Sequence, residues 1–303
     1  MTENQQRIVV AGATGYLGSH VARALKAAGH YVRALVRDAD RLGPAAHAFD
    51  EVFVGEATRP DTLTGLGDGM DAVFTSLGVR QLAREPTFWQ VDRDANLALL
   101  SEAERAGATR FLYVSVFGAA THRSQVELFE AKEQVVDRLR ESPLQATVIR
   151  PTGLFNDMEE FFRMALQRRV WLFGEGDAEV NPVHGADVAE EVVRLLAMEP
   201  LPAEFDVGGP EVLTMREIGQ LAFDALDRPA RFAALPLGLL RAASTVTAPF
   251  NRNLAALLGG FHYVNAEGAV APAMGHRRLE ASFAELAAAR SAHRSEPALG
   301  MPR

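Results

Sequence analysis

Ile8-Val9-Val10-Ala11-Gly12-Ala13-Thr14-Gly15-Tyr16-Leu17-Gly18 is a short apolar run leading into three glycines spaced three apart. A buried strand that turns sharply into a helix has this form. Gly12 supplies backbone angles that a side chain forbids, Gly15 lets the main chain approach a pyrophosphate, and Gly18 lets the new helix sit close against the strand. The free N–H groups and the dipole at the helix N-terminus then favour the negative charge of the phosphates. Thr14, Tyr16 and Leu17 complete the turn as candidate contacts. A tight strand-to-helix turn that holds nothing would use the same glycines. The surroundings favour a dinucleotide: a strand precedes, the amphipathic run Leu17 to Ala28 follows, and Gly29 closes it before the next strand-like stretch.

Tyr31 to Val36 alternates as a strand does and ends at Arg37, where a dinucleotide-binding chain meets the adenine ribose. A guanidinium there suits a 2′-phosphate, to which it makes charge-assisted bonds, so Arg37, with Arg41 on the next turn, favours NADP(H). Two solvated arginines are the bland alternative. Asp38, a carboxylate that could take the ribose hydroxyls, keeps NAD(H) as runner-up.

The 303 residues suffice for one large α/β domain, or a large domain carrying a smaller one. A net charge of −8 with no clustered Lys/Arg stripe argues against a nucleic-acid surface. No cysteine is present, which excludes disulfides, zinc knuckles and thiolate catalysis. The eight histidines are scattered, with no pair at helical ligand spacing, so no metal site is expected. Met1 to Arg7 is polar and lacks the apolar stretch of a secretory signal, and a cytoplasmic location is the simplest expectation.

Farther along, Val52 to Val54 reads as a third strand and Asp71 to Ser76 as a fourth, whose end Ser76-Leu77-Gly78 belongs beside the coenzyme because open parallel sheets bind ligands at their carboxyl edge. Thr87 caps a helix with apolar positions Phe88, Val91, Ala95 and Leu99, stopped by Gly107. Phe111 to Val116 is a fifth strand ending near Ser115. Ser124-Gln125-Val126-Glu127 has capping-box spacing for a helix to about Arg140 that contains Lys132. Gln145 to Arg150 is a sixth strand, with Pro151-Thr152-Gly153-Leu154-Phe155 at the same edge. This alternation requires right-handed crossovers and a parallel sheet.

After Phe155 the alternation loosens. Val170 to Phe173 and Glu179 to Val183 read as short strands, Ala186 to Met198 as a helix, then Glu204 to Val207 and a helix from Thr214 to Leu226. Phe232 to Phe250 is the most apolar portion, but Arg241, Pro236 and Pro249 interrupt it as a membrane span. A lid, a dimer face or a membrane-surface contact would each use such a segment; a plain core helix is favoured over any one of them. Residues 1–155 are thus read as the dinucleotide-binding core, 156–290 as a smaller substrate-side lobe interleaved with it, and 291–303 as a loose tail.

With these residues assembled, the chain resembles the atypical short-chain dehydrogenase/reductase superfamily, in its NmrA-like and isoflavone-reductase-like branches. Gly12 to Gly18, Arg37-Asp38, Ser76-Leu77-Gly78, Tyr113-Val114-Ser115, Ala131-Lys132, Arg150-Pro151-Thr152-Gly153 and Asn181 to Ala189 carry the resemblance over nearly the whole length. It implies a Rossmann-type doubly wound parallel α/β sheet with a smaller C-terminal lobe, and NAD(P) held by the glycine turn, Arg37, the Ser76–Gly78 segment, Lys132, Pro151 and Thr152. In the enzymatically standard members a Tyr four residues before the Lys donates a proton, and a Ser at the fifth strand's end orients the carbonyl. Here the Tyr position is Leu128, and Asp92 stands where extended members often have Asn.

Ser115 and Lys132 remain as catalytic candidates. Lys132 could act alone if burial lowers its pKa, or it could only bond the nicotinamide ribose; Ser115 could equally be a strand-end hydroxyl. His184, within Asn181 to Ala189, is read as a structural turn before a helix. The leading expectation is an NADP(H)-dependent oxidoreductase acting on a small apolar acceptor, a quinone or conjugated enone, which delocalises incoming electrons and needs a weaker acid than an isolated ketone. The alternative is an inactive coenzyme-binding regulator or assembly factor with a protein partner. Lipid chemistry at a membrane surface is the third expectation, and the oligomeric state leaves no mark in the sequence.

Overall fold

The protein is described by a computed structural model covering residues 5–79 and 84–295. Its centre is a parallel sheet of seven strands: β1 (Arg7–Ala11), β2 (Tyr31–Val36), β3 (Glu51–Val54), β4 (Ala72–Thr75), β5 (Arg110–Val114), β6 (Gln145–Pro151) and, later in the chain, Glu204–Val207. Their spatial order is β3-β2-β1-β4-β5-β6 with Glu204–Val207 outermost, so the direction of winding reverses between β1 and β4. The crevice at that reversal opens at the strands' carboxyl ends.

The inner strands β1, β4 and β5 are almost continuously apolar because both faces are covered. Ile8 and Val10 pack with Leu17, Val21, Val188 and Val192 of α1 (Tyr16–Ala27) and α6 (Gly185–Leu196). Val9 and Ala11 point the other way, toward Leu99, Leu100, Val135 and Val136 of α2 (Asn96–Ala106) and α4 (Glu127–Arg140). Gly29 closes α1 with paired bonds from Gly29 and His30 N–H to the Lys26 and Leu25 carbonyls.

Two helix starts differ from each other in an instructive way. Thr87 accepts from Gln90 N–H at 3.3 Å while Gln90 Oε1 accepts from Thr87 N–H at 2.7 Å, a reciprocal cap. The helix it opens is wound as a π-helix over Trp89–Ala95 before continuing as α2. The box expected at Ser124 does not form. A single turn, α3 (Ala119–His122), precedes it, and α4 begins at Glu127 with extended Val126 as N-cap and no side-chain cap.

The remaining elements gather around a second core containing Phe155, Phe162, Ile218, Phe223, Leu279 and Phe283. They are α5 (Phe155–Leu166), the parallel pair β7 (Val170–Phe173) with β11 (Phe232–Leu235), the antiparallel pair β8 (Glu179–Val180) with β10 (Leu213–Thr214), α7 (Met215–Asp224) and α10 (Leu279–Ser295). Glu204–Val207, read from the sequence with this lobe and here β9, belongs instead to the main sheet against β6. The final helix runs to Ser295, into the stretch expected as a tail; residues 296–303 lie outside the described residues.

The apolar segment is not a core helix. Phe232–Leu235 is β11, and α8 (Gly238–Thr247) buries only Leu240, leaving Leu239, Val246 and, just beyond it, Phe250 exposed. The helix pairs with α9 (Arg252–Glu267), whose Gly259 and Gly260 face Val126 and Phe129 of α4. No helix of the described residues is long and apolar enough to cross a membrane.

Candidate functional site

At the β1–β4 reversal lies a cleft of about 370 Å³. Gly12, Thr14, Gly15, Arg37, Leu77 and Gly78 of the expected contacts line it, with Asp38, Arg41 and Val79. The first turn explains the glycines. Gly12 sits at φ +85°, and a Cβ there would lie 2.7 Å from Ser76 Oγ. A Cβ on Gly18 would come within 2.1 Å of the Gly12 carbonyl oxygen, so only glycine lets α1 cross this near to the turn. Gly15 is the N-cap and provides no side chain to the first-turn N–H groups, which are left for a ligand at the cleft. This cradle fits the diphosphate of a dinucleotide.

Arg37, Asp38 and Arg41 are exposed at the cleft's outer end. Asp38 Oδ1 accepts from Asp40 N–H at 3.0 Å and caps the following turn, which commits one carboxylate oxygen locally.

The other expected contacts do not line the cleft. Tyr16 turns toward α6, where its hydroxyl accepts from Gly185 N–H at 3.1 Å and its ring meets His20 and His184 edge-on. Leu17 is buried beneath α1. Ser76 packs under Gly12. Pro151 and Thr152 are buried, and the Thr152 hydroxyl donates to the Asn181 carbonyl at 2.6 Å.

Lys132 is likewise outside the lining and lies behind its Gly78–Val79 wall, its Nζ 3.7 Å from where a Cβ on Gly78 would be. The π-helical winding carries Asp92 to it: Nζ and Oδ1 are 2.9 Å apart with both side chains buried. Asp92 Oδ2 accepts from Val79 N–H at 2.9 Å, tying the pair to the cleft wall. Burial, the largest single influence, pulls the Lys132 pKa down, but Asp92 together with Tyr113 and Glu133 outweighs it and the net shift is upward. The direction is opposite to the lowering considered from the sequence, and the ion pair favours the ammonium. Tyr113, whose ring centroid is 5.7 Å from Nζ, is fully buried, and burial raises its pKa, so its phenol keeps its proton.

Leu128, one turn before Lys132, packs against the buried cluster of Phe88, Ala131 and Ala256, as do Val79 and Trp89. The position of the usual phenol is thus filled by an apolar cluster to which α9 contributes through Ala256.

Ser115 is only 2% exposed and faces away from the cleft lining. Its hydroxyl donates to Glu133 Oε1 and accepts from Arg150 Nη1, each at 3.3 Å. Glu133 and Arg150 form a buried two-pronged ion pair at 2.6 and 2.9 Å. Glu133 was missed in the sequence; its position next to Lys132 on an otherwise apolar helix face was the available signal. His184 caps α6, its Nδ1 accepting from Ala186 N–H at 3.0 Å, as its turn position led one to expect. Asn181 and Asp187 of the same motif hold the returning chain, through Ala271 and through Arg277. Asp187, Glu190 and His276 converge, but the Asp187 carboxylate is already occupied by Arg277 and by the backbone N–H groups of His276 and Arg277.

Comparison with known proteins agrees with this geometry. The model of a family described as NAD(P)H-binding matches residues 12–199. The photosystem II assembly factor Ycf39 of Synechocystis is 26% identical over 238 residues, 78% of this chain and 72% of that protein. An NAD(P)H azoreductase of Xenophilus azovorans is 27% identical over 239 residues, 78% and 80% of the two chains. Among solved structures, the NADPH-dependent quinone oxidoreductase QOR2 of Escherichia coli, complexed with NADPH, superposes with a TM-score of 0.74 over 92% of this chain and 99% of that one, at 17% identity.

Proposed function

This chain belongs to the NAD(P)H-binding family, and on that premise we propose that it is an NADP(H)-dependent reductase of a small, apolar, electron-delocalising acceptor such as a quinone or conjugated enone. The observation that carries the proposal is the buried Lys132–Asp92 pair behind the Gly78–Val79 wall of the coenzyme cleft, with the apolar cluster around Leu128 one helical turn from Lys132.

The glycine cradle and the first-turn N–H groups of α1 would hold the diphosphate, and Arg37 with Arg41 the 2′-phosphate. Asp38, engaged in its own turn, competes weakly for ribose hydroxyls, which supports NADP(H) over NAD(H). Bound dihydronicotinamide supplies hydride chemistry. Lys132 places positive charge where an acceptor oxygen gains electron density, and holds a transferable proton on Nζ. Water can restore that proton. Because Leu128 occupies the position of the usual phenol, one buried cation does the work, and an acceptor that spreads charge over a conjugated system fits that supply. Ser115 acts through the Glu133–Arg150 pair as a positioning group for the β5–β6 edge.

Steady-state NADPH oxidation against a panel of quinones, enones and simple ketones tests this. Turnover with the conjugated acceptors, none with the ketones, and a loss of about 100-fold in kcat for Lys132→Met is the expected result. Coenzyme binding without turnover on any acceptor would overturn it.

A second reading is favoured by one observation: both polar candidates, Lys132 and Ser115, are engaged by carboxylates. A coenzyme-dependent scaffold for a protein partner needs no free acid, and one relative is described as an assembly factor. A partner whose retention on immobilised protein differs between NADP and NADPH, with no turnover, is the result that would select it.

A further inference from the structure

We propose that the outer face of the α8–α9 hairpin docks on an anionic lipid bilayer surface. On α8, Leu239, Ala242 and Val246 recur at spacings of three and four and so share one side of the helix, and Phe250 follows past its end. Val246 is 67% and Phe250 68% exposed, values that a helix packed into a core does not show. The buried side of α8 is accounted for separately, by Leu240 and by Ser244, whose hydroxyl donates to the Ala255 carbonyl of α9 at 2.8 Å. The exposed stripe is therefore left over after the hairpin has packed.

Charge selects the occupant. Residues 228–266 contain four arginines (228, 231, 241 and 252), no lysine, and no aspartate or glutamate, in a chain whose net charge is −8. Arg241 and Arg252 lie on the hairpin itself, whose one acid is Glu267 at the end of α9, so the hairpin is net +1 in a chain of net charge −8. Arg241 is exposed on α8 itself, and Arg252, at the start of α9, is largely exposed beside Glu127. Apolar side chains with arginines, on a helix too short to cross, are the chemistry of a helix lying in the headgroup region. A second copy would bring the same arginine-bearing face against itself in a two-fold dimer, so like charges would meet. Anionic headgroups meet the arginines with opposite charge instead, and attract them within about 10 Å at moderate salt.

This inference does not rest on the reductase reading, because its test measures binding alone. The full chain is sedimented with phosphatidylcholine vesicles, with and without phosphatidylglycerol, at low and high salt. Binding to the anionic vesicles, weakened at high salt, is expected. Val246→Glu with Phe250→Glu should reduce the bound fraction at least about tenfold, and Arg241→Glu should reduce the preference for phosphatidylglycerol. Both substituted apolar positions are solvent-exposed, and an unchanged coenzyme affinity establishes that the variant is folded. Failure to bind either vesicle overturns the proposal, as does equal binding by the double variant. Concentration-dependent self-association that the double variant abolishes, with no vesicle binding, would give the face to a second copy.

Discussion

Lys132 keeps its charge in a buried place because Asp92 is 2.9 Å away, and neither group is comfortable there without the other. Asp92→Ala leaves an unpaired ammonium among apolar side chains and should lower stability by about 3–5 kcal/mol in urea unfolding. Asp92→Leu combined with Lys132→Met removes both charges and should cost less than Asp92→Ala alone; an additive loss would mean that the two charges do not depend on each other. Residue reasoning reached Lys132, Arg37 and the glycines because each announces itself within a few neighbours. It did not reach the pairing of Lys132 with Asp92, which are forty positions apart and are joined only when a π-helical turn is added to the helix after Thr87. It left Ser115 open for the same reason, since the Arg150 that engages it comes from the next strand.

Elements with a local start signal, such as the helix that Thr87 caps, were legible; those built by long-range packing were not. The approach of α9 to the start of α4 is of the second kind, with Gly259 and Gly260 facing Val126 and Phe129 at ordinary van der Waals distance. Likewise the box spacing at Ser124 lost to α3, which takes up the chain before it. The α1–α6 contact makes its own pH demand. His20 and His184 lie with ring centroids 5.0 Å apart, and burial first, then the charges of Arg23, His184 and Arg277, lowers the His20 pKa from 6.5 to about 4. Burial lowers His184 as well. A histidine with a depressed folded value contributes stability above its unfolded pKa, and that contribution is lost as pH falls from about 6.5 toward 4. Melting temperature should therefore drop across that window, and His20→Gln should shallow the drop; an unchanged slope would locate the acid sensitivity elsewhere.

For the molecule as a whole, strand alternation was enough to give the parallel sheet, because a strand covered on both faces must be apolar along its length. The outermost strand was not foreseen: Glu204–Val207 is short and only partly buried, and nothing local says that it returns to β6 rather than joining the second core. What the assembled sheet creates is a crevice at its reversal point, with glycine backbone at one side, Arg37 at the outer end and the buried Lys132–Asp92 pair behind its Gly78–Val79 wall. The reductase reading depends on that crevice gripping a phosphorylated pyridine coenzyme. Isothermal titration of the protein and of Arg37→Ala with NADP, NADPH, NAD and NADH tests it most directly. The account predicts saturable binding with NADP(H) preferred, and a loss of about 10- to 100-fold in NADP(H) affinity for Arg37→Ala with little change for NAD(H). No heat with any of the four coenzymes would contradict it.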